Sequence, residues 1–151
     1  MSYTSESGRR QIVEDSLVAA RELAAALAAL GDLYEHLDER SADRMEDELF
    51  RPLQSGYGQL RRTVTAFASR HGLAEPVFAD AGPGLPEDPR AVIERVADAA
   101  QSADDTLAEL QDSLLPVEVG DQELRAGLSR VRTLIAPVPA AADALVRTFG
   151  R

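Results

Sequence analysis

Apolar residues recur along this chain at every third or fourth position, in four separate runs. Val13, Ser16, Ala20, Leu23, Leu27, Leu30, Tyr34 and Leu37 make the first. Spacing that alternates between three and four places such residues on one stripe of a helix. Residues 19–30 are almost entirely Ala and Leu, so helix propensity agrees with the pattern. The stripe keeps its phase through Gly31, which predicts one helix over about 9–38 with Gly31 as a weak point. The second run is Met45, Leu49, Leu53, Tyr57, Leu60, Val64, Phe67 and His71. The third is Val92, Val96, Ala99, Ala103, Leu107, Leu110 and Leu114, and the fourth Leu124, Leu128, Val131, Ile135, Val138, Ala142, Leu145 and Phe149.

Turn residues punctuate these runs. Asp38–Glu48 offers only Ala42 and Met45 to a core, so it reads as the solvated tip of a helical hairpin, with Ser41 or Asp43 capping helix two. Pro52, Gly56 and Gly58 predict a kink or break near 51–58. His71 and Gly72 end that helix, with Gly72 at the position just past it. Leu73–Glu87 contains Pro76, Gly82, Pro83, Gly84 and Pro86 and reads as a loop long enough to cross the length of a bundle. Asp88 followed by Pro89 starts helix three, Pro116 stops it, and Asp121 caps helix four, which Pro137 and Pro139 kink or split. The expected fold is all-α: a four-helix up-and-down bundle with a Pro/Gly-rich loop between helices two and three. Residues 1–8 are expected as a flexible tail and 9–151 as one helical domain.

Composition narrows the chemistry. With 151 residues and 44% apolar content the chain has enough material for a core of its own. It has no Cys, which removes disulfides, thiolate metal sites and a Cys nucleophile. It also has no Lys, so Schiff-base chemistry through Lys is removed too. The absence of Lys and Asn beside abundant Ala and Arg reads as compositional bias. The polar start Met1–Gly8 lacks the basic and apolar regions of a signal peptide, and no apolar run is long enough to span a bilayer. A cytoplasmic protein is the expectation.

The formal charge of −10 argues against nucleic acid as a partner. It is unevenly spread: residues 32–48 carry eight acids against two arginines, a net −6, and 87–112 repeat that balance. Residues 49–86 carry four arginines against two acids, a net +2, and helix four is locally basic.

Catalytic patterns are missing one after another. A di-iron bundle needs Glu-x-x-His, and the residues three before His36 and His71 are Leu33 and Ala68. A phosphorelay needs a solvent-facing mid-helix His near a cation, whereas His36 sits among acids and His71 at a helix end. Glu35 with Asp38, Asp43 with Glu46 and Glu109 with Asp112 have the spacing of Mg²⁺-binding pairs in helical nucleotide hydrolases, but Glu109 and Asp112 fall off the apolar stripe. There is no nucleophile elbow, phosphate-binding loop or dinucleotide fingerprint.

No catalytic, cofactor or metal residues are therefore assigned. The favoured role is a non-catalytic interaction or structural module. A small apolar-ligand binder is the alternative, with a pocket near Tyr34, Tyr57, Leu53 and Leu60, where the kinked helix would open the core. A Mg²⁺-dependent hydrolase ranks third. For an interaction module, helix one is broader on its apolar side than one stripe, through Leu17, Ala24, Ala25 and Ala28. Either the loop bearing Val77 and Phe78 covers that breadth, or a protein partner or second copy does, most simply as a homodimer.

Overall fold

A computed structural model describes residues 2–82, 84 and 88–149, with side chains from residue 5 on. Met1, Pro83, Leu85, Pro86, Glu87, Gly150 and Arg151, which include part of the expected loop, lie outside the described residues. Every regular element among the described residues is helical. None of these helices is long and apolar enough to cross a membrane.

Helix α1 covers Ser2–Leu33 without interruption at Gly31, and a 3-10 turn, Tyr34–His36, follows it. The expected tail is thus the first turns of α1. Gly8 lets α5 (Leu115–Glu118) and Val119 come close, since a Cβ there would lie 3.0 Å from Val119 Cγ2. Arg9 Nε donates to the Val119 carbonyl at 2.9 Å.

The buried residues of α1 are Ile12, Ser16, Ala19, Ala20, Leu23, Ala26, Leu30 and Leu33. They share Ser16, Ala20, Leu23 and Leu30 with the expected stripe but lean to the other side. Leu27 is therefore half-buried, and Tyr34 is exposed. A sequence rich in Ala and Leu on both flanks carries two overlapping three-four tracks, and packing chose between them.

Helices α2 (Glu39–Met45) and α3 (Arg51–Arg70) are joined by a π turn over Glu46–Phe50. The expected solvated tip at 38–48 is mostly helix. Ala42 and Met45 sit one turn apart, and both are buried. The cap is Asp38, which accepts from the Ser41 N–H at 2.7 Å, rather than Ser41 or Asp43. No break occurs at Pro52. The proline ring would crowd the carbonyl four residues back, and the wider π turn just before α3, with Arg51 N–H reaching Glu46 O, gives it room. At the far end, Gly72 takes the left-handed conformation (φ 66°), and Leu73 N–H bonds the Ala68 carbonyl at 2.9 Å.

Helix α4 covers Pro89–Asp112. Its cap residue Asp88 offers no side-chain hydrogen bond to the first turn. It stops four residues before Pro116, at Ser113 and at Leu114, whose φ is 69°. Ala100, and not Ala99, lies on its buried seam, and Leu114 is exposed. Helix α6 (Gln122–Ile135) is capped by Asp121, and α7 (Val138–Val146) begins after a break at Ala136–Pro137.

α1 packs on α4 and on α3, α3 packs on α6, and α4 packs on α7. Arg70 and His71 meet Asp121 at one end of the molecule. At the other end Pro89 and Arg90 share a cleft with His36, Leu37 and Asp38, and Arg90 bonds the Phe149 carbonyl. The chain after α3 therefore returns along α1, from Leu17 beside Phe78 to Asp32 beside Gly84, before α4 starts.

Candidate functional site

Two pairs of helices make up most of the molecule, and they are built differently. In the α3/α6 pair, glycines receive side chains. A Cβ on Gly56 would lie 2.5 Å from Ile135 Cγ2, and one on Gly127 would fall inside the Thr63 side chain. The α1/α4 pair has no such notch, and Ala19, Ala26, Ala100 and Ala103 are among its buried residues. Alanine lets two backbones approach but fills little of the space above the seam.

That space is a trough of about 640 Å³ along the outer side of α1 and α4. Its floor is Ala25, Ala26, Ala29, Val96 and Ala99. The connection closes one side with Ala79, Asp80, Ala81, Gly82 and Gly84. Charged groups stand on its lips: Glu22 and Arg21 from α1, Asp80 from the connection, Arg95 and Asp98 from α4. Arg95 is already engaged within the molecule. No aromatic residue is among the lining groups.

The connection is fastened just before the trough. Phe78 lies half-buried in a small recess with Leu17, Ala20 and Tyr57. The Arg61 guanidinium sits 4.8 Å from the centre of the Phe78 ring and 5.7 Å from that of Tyr57. Phe78 thus sits beside Leu17 and Ala20 of α1, and the trough begins further along that helix, at Arg21 and Glu22.

The densest polar cluster lies at the opposite end of α3. Asp121 Oδ1 accepts from the Leu124 N–H at 2.7 Å and from Arg70 Nη2 at 2.8 Å, while Oδ2 accepts from Arg70 Nε at 2.9 Å. His71 Nε2 is 2.9 Å from the same Oδ2, and Arg70 Nη1 is 3.0 Å from Glu123. Partial burial alone would raise the Asp121 carboxyl; the bonds from Arg70, Leu124 and His71 outweigh it and hold the group far below the ordinary carboxylate range. The carboxylate stands at the N-terminus of α6 and the two bases at the C-terminus of α3, each at the favourable end of a helix dipole. The His71 ring leans on Phe67, with centroids 4.7 Å apart. The cluster ties two helix ends together.

A third hollow, about 500 Å³, lies between the start of α2 and the start of α4 and is lined by His36, Asp38, Ser41, Asp88, Arg90 and Thr148 among others. Asp38 titrates below its ordinary value because it accepts from Ser41 N–H. Among the described residues, no three His, Asp or Glu come close enough together to hold a metal ion.

The residues expected at a ligand pocket are not brought together. Leu53 and Leu60 are fully buried in the core. Tyr34 is exposed in the 3-10 turn, and Tyr57 lies opposite Leu17 and Ala20, about four turns or 20 Å along α1 from it. The pocket was expected where a kink or break near 51–58 would open the core, whereas α3 continues as helix through those residues with Leu53 and Leu60 in the core. Of the expected interface residues, Ala28 lines the trough, while Leu17 and Phe78 cover each other. Ala24 is half-buried outside the trough, and Val77 is exposed.

The trough itself was missed from sequence, since it needs α1, the connection and α4 side by side. The one local signal was the excess of Ala at 24–29 and 97–100 on either side of a single seam. Comparison of the chain with family models, with curated proteins and with solved structures finds no match.

Proposed function

We propose that this chain is a non-catalytic interaction module that docks a helical segment of a partner protein in the α1/α4 trough. In this reading its frame is a four-helix bundle. α1 and α6–α7 run one way and α2–α3 and α4 the other, and the connection crosses the length of α1. The observation that carries the reading is the floor of the trough. Pockets that hold small molecules are lined largely by hydrophobic and aromatic groups that wrap the ligand. A half-open trough floored by Ala25, Ala29 and Ala99 has little to wrap with, and it suits the close approach of another backbone. The connection supports the reading as well. Phe78 and Leu17 line one small recess, and the alanines further along α1 line the trough.

The absence of Cys makes a direct test simple. Ala25→Cys on the trough and Ser69→Cys on the exposed side of α3 each accept a thiol-linked photocrosslinker. We expect a discrete adduct in the source cells from position 25 and none of the same mass from position 69. Equal adducts at both positions, or none at 25, would overturn the reading. An adduct between two copies would make the partner the chain itself.

A further inference from the structure

We infer that the occupant of the trough is a basic amphipathic helix of about two to three turns, with small or medium apolar residues on one face and arginine or lysine on its flanks. The inference deepens the interaction reading and rests on it. Three observations set the chemistry of the occupant.

The first is length. From Arg21 to Ala29 the α1 wall runs about 12 Å, which matches roughly two turns of a docked helix and anchors at i, i+3 or i+4, and i+7. The second is shape. Ala25, Ala26, Ala29 and Ala99 are small, and small residues let the backbone of another helix approach closely.

The third is charge, and it comes from three separate elements. Glu22 on α1, Asp80 on the connection and Asp98 on α4 all stand on the lips. Against them stand Arg21 and Arg95, so the lip itself carries a net −1. The acidic excess extends past the trough along α4, where Glu94 and Asp105 are exposed. A net charge of −10 on the whole chain steers cationic partners toward it and repels a second copy.

The test uses the full chain and a synthetic peptide of about 14 residues, helical by design, with Ala and Leu on one face and Arg on both flanks. The control peptide keeps the apolar face and carries Glu for every Arg. Fluorescence anisotropy should show the Arg peptide binding at least about tenfold more tightly than the Glu peptide, with an affinity that falls as salt is added. Ala25→Trp fills the trough at an exposed position and should weaken the Arg peptide about tenfold without moving the thermal midpoint. Ala99→Phe obstructs the other wall if that first variant folds poorly. Asp98→Arg should weaken binding several-fold, whereas Glu39→Arg, far from the trough, should leave it within about twofold.

Equal loss from Asp98→Arg and Glu39→Arg would reduce the binding to general attraction and overturn the inference. So would binding indifferent to both Ala25→Trp and Ala99→Phe, or no preference between the two peptides. If the photocrosslink at position 25 persists in those cases, the interaction reading stands and only the basic helix is lost.

Discussion

The α1/α4 pair and the α3/α6 pair bury their seams to a similar degree but join by different means. α1 and α4 together carry eleven acids against five arginines, a net −6; α3 and α6 carry seven arginines against one acid, a net +6. The basic pair interlocks: Ile135 enters the notch at Gly56, Thr63 the notch at Gly127, and Asp121 locks the ends. The acidic pair has no such glycine notch between its helices; Ala19, Ala26, Ala100 and Ala103 are among its buried residues, and the connection runs beside the trough without filling it. One pair has spent its surface on holding the molecule together, and the other has kept surface available. The difference predicts that equal changes in side-chain size have unequal effects in the two places.

The largest effect should come from Gly127→Ala. The added methyl meets Thr63 at its Cβ as well as at its tip, so rotation of one side chain does not relieve the clash. Overpacking of this kind costs about 1–3 kcal/mol, against a helix-propensity gain of about 1 kcal/mol. A net loss of up to about 2 kcal/mol in urea titration is expected. A larger enlargement in the other pair, Ala25→Leu on the trough, should stay within about 0.5 kcal/mol. Matching losses would erase the contrast between the pairs.

How far the sequence revealed this contrast depends on the distance over which each part is determined. Asp121 was legible as a cap because a cap involves one residue and the next turn. Gly72 was legible for the same local reason, and so was the split of the last helix at Pro137. The α1 seam was legible at Ser16, Ala20, Leu23 and Leu30 and shifted by one position where Ala26 is buried in place of Leu27, because Ala and Leu on both flanks present nearly equal alternatives to a periodicity argument. Ala99 and Ala100 repeat the ambiguity on α4. The bond from Arg70 to Asp121 spans 51 positions and leaves no local trace. Gly56 and Gly58 look alike in sequence as helix breakers. Only Gly56 faces a neighbouring helix, and its role is to admit Ile135.

A comparable effect is expected at the end lock of the basic pair. Asp121→Ala removes a helix cap and leaves Arg70 and His71 facing each other without their shared carboxylate. Loss of the cap alone is worth about 0.5–2 kcal/mol. The pH dependence follows from direction. The folded carboxyl titrates below its unfolded value, so its contribution is fully present above the unfolded pKa, near 3.9, and is lost as pH falls through the lower folded value. The parent should therefore lose stability below about pH 4, and Asp121→Ala should show a shallower acid slope. Identical slopes in parallel denaturation series would mean that the lock contributes nothing.

The smallest effect separates the two pairs at their buried hydroxyls. Among the described residues, Ser16 on α1 and Thr63 on α3 are the two buried polar side chains. Thr63 Oγ1 accepts from Gln59 Nε2 at 2.9 Å, and its methyl fills the notch at Gly127. Ser16 Oγ is fully buried with no hydrogen-bond partner. An unsatisfied hydroxyl in an apolar core bears its desolvation penalty without return, and Ser is also a poorer helix former than Ala. Ser16→Ala should therefore stabilise the protein by about 0.5–1 kcal/mol, the loss of a few oxygen contacts offsetting part of the gain. Thr63→Val keeps the shape and removes the bond, and should destabilise by about 0.5–1 kcal/mol. Opposite signs for two conservative changes at buried hydroxyls would place the tighter adjustment in the basic pair. A loss at Ser16→Ala as large as that at Thr63→Val would show instead that the α1 hydroxyl finds a partner in solution, and that the acidic pair is as closely fitted inside as its neighbour.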